Sequence, residues 1–152
     1  MARPPRIPNL LPDGKETIYF VTLCIEGRRH VLANKPAWSA ILTAFGKCTP
    51  WHFFSAVAMP DHLHILAAPQ KRSAKVGTLS RWVKYHVTQS LAPGWSWQDG
   101  CFDRLLRSTE SRDEKWHYLR LNPVRAGLVP KPEDWPYRVD PPGIGFLCRT
   151  KT

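Results

Sequence analysis

The sequence predicts an α/β chain of the α+β type with a ferredoxin-like fold. In that fold, β-α-β-β-α-β elements form an antiparallel sheet with helices on one face, and here we expect a further, catalytic helix at the carboxyl end. Two observations lead to this prediction. The period of the apolar residues switches repeatedly between strand-like and helix-like spacing, and fifteen prolines punctuate the chain. The 152 residues suit one domain spanning positions 1–152, with an extended basic arm at 1–12 and a tail at 141–152.

The first half of the chain supplies three strands and one helix. Residues 18–25 are β-branched and aromatic, which is typical of a strand. Residues 35–48 carry apolar side chains at helical spacing. Residues 51–58 and 62–68 are predicted strands, and the Met59-Pro60-Asp61 turn joins them into a hairpin.

The second half begins with a helix that Thr78 could cap and that runs to about residue 91. Its spacing places one set of side chains inward and another outward. The inward set is Leu79, Trp82, Val83 and Val87, and the outward set is Arg81, Lys84 and Tyr85.

A short fourth strand and a last helix complete the fold. Residues 95–98 and 102–106 could supply the strand, with Gly100 as an interruption. Ser111-Arg112-Asp113-Glu114 fits a capping box, which predicts a helix that begins there and ends at Asn122-Pro123. Pro123 then starts a helical turn that Gly127 stops.

The composition narrows the class of function. Twenty-two basic against twelve acidic residues give a net charge of +10, so a polyanion such as nucleic acid is the first partner to consider. No apolar run approaches the roughly 20 residues of a membrane span, and the amino end has no secretory signal, so we expect a cytoplasmic protein with no membrane partner. Cys24, Cys48, Cys101 and Cys148 have no metal or redox spacing and are interpreted as small apolar side chains in a reducing compartment. These features exclude a transmembrane, a disulfide-stapled or a disordered chain.

The densest chemical signal is the pair His62 and His64. Alternate side chains of a strand share a face, so both imidazoles project the same way. Two such groups can bind one divalent metal, with a further ligand and open positions for substrate. The alternative is two histidines on a polar strand face.

A second signal is the pair Tyr118 and Asn122, which share a helical stripe at i and i+4. A phenol beside a metal-polarised phosphodiester is a plausible nucleophile, and an amide oxygen is a hard donor suited to Mg²⁺ or Mn²⁺. Pro123, however, pushes Asn122 away from helical backbone angles. The alternative makes Tyr118 a core aromatic and Asn122 a helix stop.

Basic side chains interleaved with aromatic ones are the third signal. Single-stranded nucleic acid is bound by charges that contact phosphates and by rings that stack on bases. The alternative is a solvated charged face over core tryptophans. The candidate DNA-binding residues are Arg81, Lys84, Tyr85, Arg104, Arg107, Arg120 and Arg125, together with Arg3 and Arg6 of the arm.

Across residues 18–137 the chain resembles the REP-associated tyrosine transposases, the single-tyrosine branch of the HUH nucleases. The blocks that carry the resemblance occur in the family's order. They are Tyr19-Phe20-Val21-Thr22, Met59-Pro60-Asp61-His62-Leu63-His64, Leu79-Ser80-Arg81-Trp82, Trp97-Gln98 with Phe102-Asp103, and Tyr118-Leu119-Arg120-Leu121-Asn122-Pro123 followed by Val124-Arg125-Ala126-Gly127-Leu128-Val129.

The resemblance implies a ferredoxin-like, metal-dependent enzyme that cuts single-stranded DNA at or near hairpin-forming palindromic repeats. It implies that His62, His64 and Asn122 bind Mg²⁺ or Mn²⁺. It also implies that Tyr118 is the nucleophile of a transesterification that leaves a 5′-phosphotyrosine and a free 3′-OH. Tyr85 is the rival nucleophile, but its basic surroundings favour contact with DNA.

The family further implies a nucleoid-associated bacterial protein that acts as a monomer or homodimer. One departure concerns hairpin recognition, since the Gly-Thr-Ser-like segment of many relatives is not found near the amino end; Arg3 and Arg6 are candidate substitutes. His117 is not assigned as the base that deprotonates Tyr118, because consecutive helical positions point about 100° apart. The alternative function is a module on the same fold that binds structured single-stranded DNA or RNA without cutting it.

Overall fold

The structure is a computed structural model that describes residues 17–71, 73–106 and 109–143. Several predictions lie outside these ranges. They are the arm at residues 1–12 with Arg3 and Arg6, the basic residue Arg107, and residues 144–152 of the tail with Cys148.

A five-stranded antiparallel sheet forms the centre of the fold. Its strands are β1 (Ile18–Cys24), β2 (Trp51–Met59), β3 (His62–Pro69), β4 (Phe102–Leu106) and β5 (Arg138–Val139). Their order across the sheet is β4-β1-β3-β2-β5, and the first four strands have the order of a ferredoxin-like sheet. The predicted α+β fold with an antiparallel sheet is confirmed.

Helices connect and cover the strands. The first helix is preceded by a capping residue, Asn34, whose side chain accepts a hydrogen bond of 2.9 Å from the Ala37 backbone N–H. Short 3₁₀ turns lie at Glu26–Arg28 and Pro132–Asp134. The helices are α1 (Lys35–Lys47), α2 (Val76–Leu91), α3 (Thr109–Arg120) and α4 (Asn122–Arg125).

The two faces of the sheet bury different helices. On one face, Leu63 and Ile65 of β3 belong to the apolar core that α1 and α2 cover. On the other face, Leu66 packs with Trp116 and Leu119 of α3. Because side chains alternate along a strand, His62 and His64 project toward the α3 face, together with Leu66. The α3 helix, which carries Tyr118, therefore lies on the same side of the sheet as the predicted metal ligands His62 and His64.

Three predicted boundaries are wrong. Residues 95–98 do not form part of a strand. They make one isolated bridge, between Trp97 and Ile25, because only two backbone hydrogen bonds, at Ser96 and Gln98, join this loop to the end of β1 and the turn after it within the described chain. The second helix begins at Val76, with Lys75 rather than Thr78 at the cap. The third begins at Thr109, so the capping-box residues lie inside it, where burial of the α3 apolar stripe against the sheet stabilises the helix.

The predicted inward orientation of Trp82 is wrong. The inward stripe of α2 consists of Val76, Leu79, Val83 and Val87, which recur at helical spacing and are buried. Trp82 lies beside that stripe and is 46% exposed.

Cys24, Cys48 and Cys101 lie within the described ranges. Cys24 and Cys48 are buried and Cys101 is half-buried. Burial raises the pKa of the Cys48 thiol to about 12, which keeps it protonated and unreactive. Among the described helices, none is long and apolar enough to cross a membrane.

Candidate active site

The two predicted imidazoles lie side by side on β3. His62 pairs with Cys24 on β1 and with Met59 on β2, and His64 pairs with Thr22 and Val57 in the same way. Their ring centroids are 4.6 Å apart. The central position of β3 in the sheet therefore fixes both rings between two neighbouring strands.

One nitrogen of each ring is already hydrogen-bonded to the protein. The Nδ1 of His64 lies 2.9 Å from the Thr22 hydroxyl, and the Nδ1 of His62 lies 2.7 Å from Oδ1 of Asp61. A carboxylate only accepts hydrogen bonds, so Nδ1 of His62 is the donor and its Nε2 carries the lone pair. Metal-binding histidines are typically held in this way, with the second nitrogen bonded to a carboxylate or other oxygen. The two side chains therefore fit a divalent metal bound through Nε2.

Arg28 extends this network, and sequence reasoning missed it. Its Nε donates to Oδ2 of Asp61 at 2.8 Å, so the carboxylate bridges Arg28 and His62. Nη2 of Arg28 is 3.4 Å from Nδ1 of His62, which is a contact rather than a hydrogen bond because that nitrogen donates to Asp61. Arg28 lies in the 3₁₀ turn after β1, where its backbone has a φ of 54°. The presence of Asp61 directly before His62 was the available signal, but its partner lies 33 residues away.

The electrostatics of the network favour a charged Asp61 carboxylate and a neutral His64 ring. Burial acts to raise the pKa of Asp61, but the hydrogen bonds from Arg28 and His62 outweigh it, and the pKa of Asp61 lies below its ordinary value. Burial, aided by electrostatic interactions with His62 and Lys115, lowers the pKa of His64 to about 3. His64 is therefore neutral near pH 7, the form that binds a metal.

The third ligand is the weakest part of the predicted site. Within the described ranges, no group of three or more His, Cys, Asp or Glu side chains could hold a metal ion. Asn122 is the first residue of α4, and its Oδ1 accepts a close hydrogen bond from Nη2 of Arg125. The amide oxygen assigned to the metal is thus engaged by a guanidinium, which would have to release it.

Tyr118 is a surface side chain, 56% exposed on the last turn of α3. The alternative interpretation as a core aromatic is therefore wrong. Tyr118 borders an open hollow of about 470 Å³ between α3 and β4, whose wall includes Arg104 and Lys115. The Arg125 guanidinium lies 3.9 Å and the Lys115 ammonium 5.6 Å from the Tyr118 ring centre. Cations thus flank the phenol in a space large enough to admit a phosphate group.

Lys115 and Phe20 lie between the tyrosine and the histidines. The Lys115 ammonium is 4.9 Å from the ring centre of Phe20, and that ring is 5.3 Å from the ring of His64. The influence of Lys115 on the pKa of His64 reflects the same proximity. Lys115 and Phe20 therefore form a chain of neighbouring side chains from Tyr118 to His64 on one face of the sheet. Lys115 is a second site residue that sequence reasoning missed.

The remaining basic candidates fall into different environments. Arg104 is exposed on β4, on the side of the hollow next to Tyr118. Arg120 pairs with Glu133 at 2.9 Å. Lys84 donates to the Gln98 carbonyl at 2.8 Å and to the Gly100 carbonyl, so its ammonium holds a loop, and burial lowers its pKa.

Arg81 and Tyr85 are exposed on α2 and therefore lie on the opposite side of the sheet from Tyr118. The predicted DNA-binding residues thus do not form one surface around the site.

Comparison with known proteins points to one group. No protein-family model matches the chain. A REP-associated tyrosine transposase of Escherichia coli is 24% identical over 88 residues, which are 58% of this chain and 53% of that protein, so the match spans about half of the relative's length. A Haemophilus influenzae protein named as a REP-associated tyrosine transposase of provisional assignment is 22% identical over 140 residues, or 81% of this chain and 79% of that protein.

The fold agrees. The solved structure of a REP-associated tyrosine transposase bound to a REP hairpin superposes with a TM-score of 0.73 at 20% identity, covering 91% of this chain and 82% of that one. The resemblance to the REP-associated tyrosine transposases is confirmed. At these identities the structural likeness establishes the fold, and the chemistry has to be argued from the site.

Proposed function

We propose that the protein is a metal-dependent, transposase-like endonuclease and strand transferase acting on single-stranded DNA. One observation carries the proposal. Two imidazoles, each hydrogen-bonded to the protein through Nδ1 and so able to present Nε2 to a metal, lie on the same sheet face as an exposed tyrosine, and two cations flank that tyrosine. Similarity to REP-associated tyrosine transposases supports a DNA substrate.

Each group has a chemical role in the proposed reaction. His62 and His64 would hold a divalent metal, Mg²⁺ or Mn²⁺, and such an ion polarises the scissile phosphate when bound. The Tyr118 oxygen attacks phosphorus, the bond from phosphorus to the 3′-oxygen breaks, and the phenol proton is ultimately balanced by protonation of that oxygen to a 3′-OH. The product is a 5′-phosphotyrosine. Because this ester replaces one phosphodiester with another, a second 3′-OH can reverse the attack and join strands without ATP.

The surrounding cations would position the DNA backbone. Lys115 and Arg104 line the hollow beside Tyr118, and Arg125 lies over the Tyr118 ring. A phosphodiester in this hollow would meet the positive charges of Arg104 and Lys115 against one carboxylate of the described lining, Glu114. Two cations to one anion favour binding of a phosphate next to the nucleophile. Arg125 would also have to exchange its hydrogen bond with Asn122 for one with DNA if Asn122 is to serve as the third ligand.

The proposed substrate is a DNA hairpin with a single-stranded flank. The solved structural neighbour is bound to a REP hairpin, and the net charge of +10 suits any polyanionic partner. The family's usual reading segment near the amino end is not found in the sequence, so the hairpin would be recognised by other residues.

A denaturing gel tests the proposal. The full chain is incubated with end-labelled hairpin oligonucleotides and Mn²⁺, and we expect a labelled band that migrates with the protein and disappears with protease. Tyr118→Phe should eliminate this band while DNA affinity is retained. Tyr85→Phe is the matched control, because it removes the same hydroxyl from the rival tyrosine and should leave the band intact. An adduct that survives Tyr118→Phe would remove Tyr118 from the role.

The competing function is a DNA- or RNA-binding module that does not cut. The engagement of Asn122 by Arg125 and the absence of a third His, Cys, Asp or Glu ligand within the described ranges are the observations that favour it. Tight hairpin binding with no adduct under any divalent metal would establish this function instead.

A further inference from the structure

The outer side of α2 carries an exposed aromatic cluster far from Tyr118. Trp82 and His86 are stacked, with ring centroids 5.0 Å apart and planes 19° from parallel. Tyr85 stands nearly perpendicular to Trp82, at 6.2 Å and 85°. Trp82 is 46% and Tyr85 55% exposed, so both rings offer surface to a ligand. We call Trp82, Tyr85 and His86 the α2 platform.

Two adjoining hollows surround the platform. The larger, about 560 Å³, is lined by Thr78, Arg81 and the three platform residues. The smaller, about 250 Å³, shares Thr78 and Trp82 with it and includes Lys71 and Lys75. Among the described residues that line the two hollows there are three lysine or arginine side chains and no carboxylate. The rings are thus bordered by positive charge.

The platform also contains an unsatisfied polar atom. Nε2 of His86 is buried and makes no hydrogen bond within the described part of the chain. A buried polar atom of this kind costs free energy unless a partner completes it. Because this nitrogen has no contact with solvent, only the exposed ring faces and the neighbouring cations of the platform are open to a ligand.

The platform lies on the other side of the domain from the candidate active site. Leu79 and Val83 on the inner side of α2 pack into the core on the sheet face opposite His64. The α2 helix and the sheet therefore separate the platform from the catalytic face. Lys84 of α2 donates hydrogen bonds to the Gln98 and Gly100 carbonyls in the loop that leads into β4, so α2 adjoins the β4 edge of the sheet. A DNA strand could pass along this edge from one surface to the other. That edge carries exposed Phe102 and Arg104.

We propose that the α2 platform is a second binding site for single-stranded DNA, which stacks bases on Trp82 and Tyr85 while Arg81, Lys71 and Lys75 contact phosphates. Exposed rings flanked by cations are the arrangement that single-strand-binding proteins use. The interface of a second protein would be depleted in charge at its centre, and a second copy of this chain would bring two charges of +10 together. Both observations favour the nucleic acid.

The site extends the proposed function. A strand cut at Tyr118 could continue around the β4 edge and remain attached through the platform. The choice of DNA as the polymer rests on the proposed function, whereas the stacking site itself rests on the geometry of α2.

Binding measured without cleavage tests the site. In a Tyr118→Phe background with EDTA, fluorescence anisotropy follows an unstructured oligothymidylate of about 16 nucleotides, near the upper site size of small single-strand-binding domains. Trp82→Ala and Tyr85→Ala should each weaken binding by about fivefold to a hundredfold, the range expected for loss of one stacked base. Leu128→Ala, which trims an exposed apolar side chain elsewhere, should leave the affinity unchanged. Circular dichroism checks that each variant is folded.

A charge comparison adds a second measurement. Arg81→Gln should weaken binding and reduce its salt dependence, whereas Lys131→Gln, an equal loss of charge at an exposed position outside the platform, should change either much less. Unchanged affinity in folded Tyr85→Ala and Arg81→Gln overturns the platform. A change of oligomeric state in these variants, with DNA affinity unaltered, would assign the surface to self-association and also overturn it. Because the adduct assay uses Tyr118 and a metal, its failure would leave these results standing.

Discussion

The carboxylate of Asp61 should control how tightly the two histidines bind a metal. Asp61 accepts from Nδ1 of His62 at 2.7 Å and is itself held by Arg28 at 2.8 Å. This bond holds the ring through Nδ1 and leaves Nε2 as the nitrogen that can bind a metal, and the negative charge makes the ring a better donor to a cation. We therefore expect Asp61→Asn and Asp61→Ala to weaken Mn²⁺ binding to the protein alone.

The structure sets the order of the two effects. Loss of such an outer-shell partner costs about 10- to 100-fold in metal affinity, or about 1.4–2.7 kcal/mol. Asparagine keeps an oxygen that can accept from Nδ1 but loses the charge, so about 10-fold is expected. Alanine removes the oxygen as well and leaves the His62 ring free to turn, so the expected loss is near 100-fold.

Titration of free Mn²⁺ by electron paramagnetic resonance measures this affinity without DNA or turnover. Glu26→Gln is the matched control, because Glu26 is an exposed carboxylate in the neighbouring turn and its loss changes the net charge by the same amount. It should change the affinity less than twofold. An Asp61→Ala protein that is folded and binds Mn²⁺ as tightly as the unmodified chain would refute the assignment of His62 as a metal ligand held by Asp61.

Three further outcomes are expected. Gly143→Ala should lower the melting temperature, because Gly143 has a φ of 71° and an added Cβ would lie 2.2 Å from the Phe53 carbonyl oxygen. The backbone strain and the displacement of the Phe53 carbonyl should together lower the free energy of unfolding by at least about 1–2 kcal/mol, and an unchanged melting curve would contradict the close packing of this segment. In the metal-free folded protein, His64 has a pKa of about 3 and stays neutral, whereas in the unfolded chain it takes up a proton below its ordinary pKa of 6.5, so its contribution to the free energy of unfolding is complete above pH 6.5 and is lost toward pH 3 at about 1.4 kcal/mol per pH unit. In denaturant unfolding, His64→Gln should therefore lose about 1.4 kcal/mol less stability than the unmodified chain between pH 6 and pH 5, and an identical loss in both proteins would refute the burial of a neutral ring. DNA affinity should fall steeply as the salt concentration rises, because a chain of net charge +10 would release counterions from the phosphates on binding. An affinity that does not change with salt in fluorescence anisotropy would show that the positive charge does not contribute to DNA binding.

The sequence alone determined the parts of the fold that depend on local periodicity. Alternation along β3 placed His62 and His64 on one face, and the Met59-Pro60-Asp61 turn formed the predicted hairpin. The strand order could be expected because the element order and the lengths of the helices suit few other arrangements. These features arise from residues close together in the chain, so a one-dimensional pattern contains them.

Only the tertiary structure decided how distant segments meet. Arg28 reaches Asp61 across 33 positions, and Lys115 of α3 contacts Phe20 of β1, neither of which any local pattern encodes. The exposure of Trp82 was also a tertiary outcome, because its position at the border of the apolar stripe leaves burial to be decided by what packs beside α2. Periodicity orients a side chain within its own helix or strand, whereas the contacts that build a site depend on where the other elements end in space.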